Sequence, residues 1–118
     1  MIDGVTEQEL RQLVANARLR PEADSRAARI YRALRHITKE GSVFYVLADT
    51  PDQLEDAFSI LVDDKMIVDF DLPRYDPDAL PTDIEQFSIE AHRAEITDDF
   101  TEATFRIALE LARRDLGR

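Results

Sequence analysis

Asp69 and Asp71 lie two positions apart in the apolar run "MIVDFDL". Two carboxylates at this spacing suit three roles: holding a divalent cation, acid–base catalysis, or attracting a basic partner. In a β-strand, residues i and i+2 point to the same side, about 7 Å apart. The pattern therefore also fits a half-buried strand with both aspartates on its wet side. The alternate residues that would face the core are Met66, Val68, Phe70 and Leu72.

An apolar strand that ends in Asp-x-Asp resembles the first strand of haloacid-dehalogenase-type phosphatases. The resemblance covers only Asp69, Asp71 and the strand before them. Pro73 stands where that family usually has threonine or valine, and no glycine-rich turn follows. We therefore do not assign the chain to that family.

Other chemistry has little support in the sequence. Asp69, Asp71, Asp76 and Asp78 could hold a hard cation, but the glycine and glutamate of the twelve-residue calcium loop are missing. The chain has no cysteine, and its two histidines, His36 and His92, are interpreted as solvated surface groups. Phosphate loops, dinucleotide fingerprints and zinc-protease motifs are absent from the sequence. We predict no catalytic residue, metal or cofactor.

The charge of the chain is concentrated in its middle. The net charge is -10, with +2 in residues 1–40, -13 in residues 41–99 and +1 in residues 100–118. A negative field repels phosphates and anionic headgroups, which disfavours nucleic acid and membranes and favours basic proteins as partners. The alternative that the charge only keeps a small protein soluble stays open.

The function predicted from this charge is a small acidic, cytosolic protein-binding module. Such a protein could be an inhibitor that occludes a basic partner, and bacterial immunity proteins and antitoxins share this physics. The predicted contacts, with Tyr75 as aromatic anchor, are Asp69, Asp71, Tyr75, Asp76, Asp78 and Asp83. The alternatives are a homo-oligomeric structural or regulatory subunit and a metal-dependent enzyme that uses Asp69 and Asp71.

One α+β domain over residues 1–118 must position these groups. The predicted order is α-α-β-α-β-(α or β)-α, with helices packed on one face of a small sheet. Helices are expected over about 7–19, from a Thr6/Glu9 capping box, and over about 22–38, before a stop at Gly41. The final helix begins at Asp99. The N-terminus lacks a secretory pattern, and the expected location is the cytoplasm.

The middle of the chain is predicted as strand–helix–strand over residues 43–72. Thr50 is the expected N-cap of that helix, Pro51 its first residue and Gln53 the partner in the capping box. A right-handed βαβ crossover fits this length, and an antiparallel return stays open. Residues 84–96 fit both periods, with helix favoured.

The second helix presents a basic face, which in isolation resembles a phosphate-binding surface. Pairing with the acidic block, or solvation, is the simpler interpretation of that face; a homo-oligomer or an acidic partner is the other. Its members are Arg29, Arg32, Arg35 and His36.

Overall fold

The computed structural model describes residues 4–20, 25–39, 42–51, 54–76 and 78–118. The helices are α1 Glu7–Asn16, α2 Ser25–Arg35, α3 Ile89–Ala94 and α4 Asp99–Asp115. The strands are β1 Phe44–Pro51, β2 Glu55–Val62, β3 Met66–Pro73 and β4 Thr82–Ser88. The predicted α+β class is confirmed.

The strands form one antiparallel sheet in the order β1-β2-β3-β4, so that each strand pairs with its neighbours in sequence. The β2–β3 turn contains Asp63 in the left-handed region, at a φ of 53°. Aspartate tolerates this conformation because its short side chain can bond locally. The Oδ1 atom of Asp63 accepts a 2.7 Å hydrogen bond from the Val43 N–H, which ties the turn to the start of β1.

The helix predicted after Pro51 is wrong, because this segment is strand β2. Leu54, Ala57, Phe58 and Leu61 have helical spacing, but Leu54 is 68% exposed. Alternate residues of the same segment, including Phe58, are buried against α2 instead. Strand β2 forms backbone hydrogen bonds with β1 on one side and with β3 on the other. These bonds outweigh the helical preference of the local sequence. The antiparallel return is therefore the arrangement found.

Thr50 and Pro51, the predicted cap and first helical residue, both lie in β1. Pro51 is tolerated at the end of an edge strand, where its missing N–H leaves no ladder bond unmade. Gln53 lies outside the described residues.

The ambiguous segment 84–96 contains both kinds of structure. Residues up to Ser88 pair with β3, and a short helix follows. Ser88 is its N-cap and accepts a 3.1 Å hydrogen bond from the Ala91 N–H. The strand part and the helical part of this segment are each short. Neither the two-residue period of a strand nor the 3.6-residue period of a helix therefore dominates the hydrophobic pattern of residues 84–96.

Helices α1 and α4 begin where capping residues predict. Thr6 accepts a 3.1 Å bond from the Glu9 N–H, and the capping box is confirmed. The N-cap of α4 is Asp98, one residue before the predicted start, and it accepts a 2.9 Å bond from the Thr101 N–H. The predicted stop at Gly41 lies outside the described residues. No described helix is long and apolar enough to cross a membrane.

The first helix ends three residues earlier than predicted, because the chain then runs along the outer edge of β1. The Leu19 N–H donates to the Phe44 carbonyl at 3.0 Å, and the Val46 N–H donates to the Ala17 carbonyl at 3.1 Å. These bonds satisfy backbone groups that an edge strand would otherwise leave exposed.

Helices cover both faces of the sheet, not one as predicted. Helix α2 packs on the first face, where Tyr31 meets Phe44 edge-on with ring centroids 5.4 Å apart. Helices α1 and α4 pack on the second face. The reason is that one end of the sheet is apolar on both sides: Phe44 faces α2, and its neighbour Tyr45 faces α4.

Tyr45 connects the second face to the C-terminal end of α4. Its ring is buried, and its hydroxyl donates a hydrogen bond to the Asp115 carboxylate. Arg18 also lies 3.5 Å from that carboxylate. Burial, and then the hydrogen bond to Asp115, raise the pKa of Tyr45 to about 12.

The Tyr45→Phe variant should be less stable by about 1.5–3 kcal/mol, the usual contribution of a hydrogen bond to a charged group. The ring stays in place, so the loss reports the hydroxyl alone. Urea unfolding followed by circular dichroism measures it. The control is Tyr75→Phe, because Tyr75 is 76% exposed. Equal stability of the two variants would show that the Tyr45 hydroxyl contributes nothing.

Candidate functional site

The second face of the sheet is covered over only part of its length. The covered row consists of Tyr45, Leu61, Ile67 and Phe87, which pair across the four strands and contact the core of α1 and α4. Side chains two residues further along each strand lie on the same face. We call the remaining part the open face; its members are Ala48, Thr50, Glu55, Ala57, Ser59, Asp69, Asp71, Thr82, Asp83 and Glu85.

Three carboxylates from three strands meet on the open face. Glu55 of β2, Asp71 of β3 and Asp83 of β4 each place one oxygen within 4.8 Å of the other two. Asp71 is half-buried in this cluster, whereas Asp83 is exposed. These three residues are far apart in the sequence, so their spacing does not indicate a cluster. The antiparallel pairing of the three strands brings them together.

An irregularity in β4 helps to place Asp83. Asp69 pairs with Glu85 and Asp71 pairs with Thr82, so β4 contains one more residue than β3 between these pairs. Asp83 lies within this bulge at a φ of 52°, in the left-handed region. A β-bulge re-aims a side chain, and here the Asp83 carboxylate lies beside those of Glu55 and Asp71.

The floor between the carboxylates is built from small side chains. Ala48, Ala57 and Ser59 line a shallow depression of about 330 Å³, together with Asp69, Asp71, Asp83 and Glu85. Small residues leave room above the sheet that larger side chains would fill. A lysine or arginine stem could lie along this floor, with its charge at the carboxylates.

Four of the five acidic groups of the open face are poorly compensated within the described part of the chain. Among the residues described, no cationic nitrogen lies within 4.0 Å of Glu55, Asp69, Asp83 or Glu85. Asp69 and Glu85 are directly opposite each other on paired strands, and like charges in this position are destabilising. Oδ1 of Asp69 is buried without a hydrogen-bond partner in the described part of the chain.

Two other acidic residues of the segment 41–99, Asp56 and Asp64, are paired with arginines. Asp56, which is 7% exposed, accepts two hydrogen bonds from Arg74, at 3.2 and 2.8 Å. Asp64 lies 2.8 Å from Arg118 and 3.7 Å from Arg113. Asp56 and Asp64 therefore add little net charge to the surface, whereas the open face retains negative charge.

His92 lies beside the open face and is partly buried, not solvated as predicted. Its ring contacts Phe105 of α4 with centroids 4.8 Å apart. Burial lowers the pKa of His92, and the Asp69 carboxylate opposes that shift. His36, by contrast, is exposed as predicted.

Models of protein families, curated proteins and solved structures give no match to this chain. The site is therefore interpreted from its own geometry.

The structure brings together half of the residues predicted as partner contacts. Asp69, Asp71 and Asp83 share the open face. Asp76 and Asp78 follow β3 on the other side, where the Asp76 carbonyl accepts a 3.0 Å bond from Arg29 of α2 and Asp78 lines a cleft beside that helix. Tyr75 is 76% exposed in the same loop.

Two acidic residues of the open face, Glu55 and Glu85, were not among the predicted contacts. Glu55 was assigned to a helix and Glu85 to a segment of undecided structure, so neither could be aligned with Asp69 or Asp71. The available signal was the alternation of Phe58, Ile60 and Val62 with smaller residues, which is typical of a strand.

The triad of Glu55, Asp71 and Asp83 consists of the oxygen ligands that calcium or magnesium prefers. Exposed acidic groups commonly cluster without a metal, so the spacing alone does not separate a cation site from a surface for a basic protein. The two functions differ in their dependence on metal and on salt.

The Glu85→Gln variant should be more stable than the native protein by about 0.5 kcal/mol, because it removes the like-charge pair with Asp69. The gain should shrink in 1 M salt, where the Debye length is only about 3 Å. Chemical denaturation at two salt concentrations measures both. Asp78→Asn is the control, since Asp78 is exposed in the loop after β3 and lies outside the open face. Equal gains in the two variants would contradict crowding on the open face.

Folding stability should depend on His92 at mildly acidic pH. Because burial lowers the pKa of folded His92 below 6.5, the unfolded chain takes up its proton first as the pH falls. The free energy of unfolding should therefore decrease below about pH 6.5, until folded His92 also titrates. In the His92→Gln variant this component is absent.

Urea unfolding at pH 8.5, 7.5 and 5.5 tests this dependence. The difference in stability between native protein and His92→Gln should be constant from pH 8.5 to 7.5 and change by pH 5.5. A constant difference at all three values would contradict the effect of burial on His92.

Proposed function

We propose that this protein is a non-enzymatic, cytosolic binding module that docks a basic partner protein on its open face. The observation that carries the proposal is the meeting of the Glu55, Asp71 and Asp83 carboxylates within 4.8 Å of one another. Such crowding does not help the isolated fold, because like charges repel. The repulsion between these carboxylates is offset when cationic groups of a partner bind beside them.

The shape of the open face supports docking by a protein surface. The depression is shallow, and its floor of Ala48, Ala57 and Ser59 offers flat apolar and small polar contact. Charges at a wet rim act mainly on the association rate and on partner choice, and a compatible positive surface can associate at about 10⁸ M⁻¹s⁻¹ or faster at low salt. Recognition by charge therefore suits a target that must be captured quickly.

Two exposed apolar side chains lie at the end of the sheet where Glu55 begins β2. Leu54 is 68% exposed and Tyr75 is 76% exposed. Their segments are joined, because the Arg74 N–H donates to the Leu54 carbonyl at 2.8 Å. Tyrosine is enriched among residues that dominate binding energy, and Tyr75 is the proposed aromatic anchor at this end.

An inhibitor or immunity-type role is the form of binding that this surface favours. A negative face placed over the cationic site of a nuclease or nucleic-acid-binding protein would exclude the phosphates which that site normally attracts. The negative charge of the open face and its shallow shape support this role.

The affinity for a cationic probe should depend on the position of the carboxylates and not only on their number. The test uses an arginine-rich peptide and a control peptide with citrulline in place of each arginine. The variant Asp69→Asn/Asp71→Asn/Asp83→Asn should bind about tenfold more weakly, since three charge pairs at the protein surface contribute about 0.5 kcal/mol each. Fluorescence anisotropy at low and high salt measures Kd.

A variant with the same change in net charge serves as the control: Asp78→Asn/Glu95→Gln/Glu110→Gln. All three residues are exposed and lie outside the open face. The control should retain most of the affinity, and binding should weaken steeply with salt. Equal loss in both triple variants would contradict a localised site.

The competing functions give different results in the same samples. A cation site would raise the melting temperature of the native protein in calcium or magnesium, and the open-face variant would lose that rise. A homo-oligomer held by the arginines of α2 and the open face would dissociate at high salt in light scattering. Either result without peptide binding would overturn the proposed function.

A further inference from the structure

The outer side of α2 and the loop after β3 enclose a second cleft, of about 190 Å³. Arg29, Arg32 and His36 line one wall, and residues 78–80 line the other. Spacings of three and four residues place these three side chains on one side of the helix. The cleft lies on the α2 side of the sheet, separate from the open face.

Arg29 is held in place by neutral hydrogen-bond acceptors, which leave its positive charge uncompensated. Its guanidinium donates to the carbonyl of Arg74 at 3.5 Å and to the carbonyl of Asp76 at 3.0 Å. Both acceptors are neutral, and no carboxylate among the described residues lies within 4.0 Å of Arg29 or Arg32. Nε of Arg29 is buried without a hydrogen-bond partner in the same part of the chain.

The cleft carries a net positive charge in a chain whose total is -10. Two guanidinium groups outnumber the single carboxylate of the lining, that of Asp78. The Asp78 N–H donates a 3.0 Å hydrogen bond to Asp76 Oδ1. An incoming anion would therefore meet cations that have not been neutralised by the fold.

Size and charge together define the ligand. The volume is below the roughly 300–1,000 Å³ of pockets for drug-sized ligands, so a compact group fits. A phosphate monoester offers three acceptor oxygens and a charge of about -1.5 to -2, which matches two guanidinium forks and an imidazole better than a carboxylate does. The acidic remainder of the molecule repels a polyanion such as DNA.

We propose that the cleft between α2 and residues 78–80 binds a single phosphate monoester group, through Arg29, Arg32 and His36. The group can belong to a small metabolite or to a phosphorylated side chain, and inorganic phosphate presents the same chemistry. This site is independent of the proposed basic partner, because it shares no residue with the open face.

Heteronuclear NMR titration of the full chain tests the proposal, at constant ionic strength set with chloride. The probes are inorganic phosphate, O-phosphoserine, serine and acetate. Phosphate and O-phosphoserine should shift amide signals of residues 29–36 and 78–80 in a saturable manner, while serine and acetate should not. Phosphate without O-phosphoserine would restrict the site to the free anion and overturn binding of the monoester.

The Arg32→Gln variant should bind both phosphate probes at least about tenfold more weakly, as expected for loss of a charge-assisted hydrogen bond. Arg32 is exposed, so the fold does not depend on it. Arg114→Gln is the matched control, because Arg114 is an exposed arginine on α4. Unchanged affinity in Arg32→Gln, equal loss in both variants, or an equal response to acetate would each overturn the proposal.

Discussion

The register between β2 and β3 is the constraint on which the rest of the structure depends. Eight consecutive residue pairs join these strands, from Glu55 with Pro73 to Val62 with Met66. Because side chains alternate between faces, a shift of one residue would turn Asp69 and Asp71 into the apolar layer under α2. Burial of carboxylates in that apolar layer would cost several kcal/mol. The same pairing that builds the core therefore exposes the acidic residues together.

Much of the fold could be predicted because local signals agree with the final packing. The capping residues of α1 and α4 and the alternation in β3 are examples. Strand β2 could not be recognised in this way, since Leu54, Ala57, Phe58 and Leu61 also repeat at helical spacing. Its state is decided by hydrogen bonds to β1 and β3, which come from residues distant in sequence. The candidate site could be predicted only in part for the same reason. Asp69 and Asp71 share one strand and are visible in the sequence, whereas Glu55 and Glu85 reach the same face only through strand pairing.

The sheet also separates opposite charges. Carboxylates gather on the open face, while the uncompensated guanidinium groups of Arg29 and Arg32 lie on the α2 side. Asp56, which has the same strand parity as the residues packed under α2, is buried and paired with Arg74, so this pair is neutral as a unit. A chain with a uniform negative surface would repel all anions equally. This molecule instead has two sides with different electrostatic preferences, and a ligand on one side leaves the other side accessible.

The bulge in β4 has a consequence for solubility. In the described sheet β4 pairs only with β3, so its outer edge is the place where another molecule could extend the sheet. The left-handed backbone at Asp83 breaks the regular spacing of amide and carbonyl groups along that edge. Two copies stacked there would also bring Asp83 and Glu85 against their own counterparts. The irregular strand therefore acts as a guard against fibril-like growth, which a protein with an unfinished sheet otherwise risks.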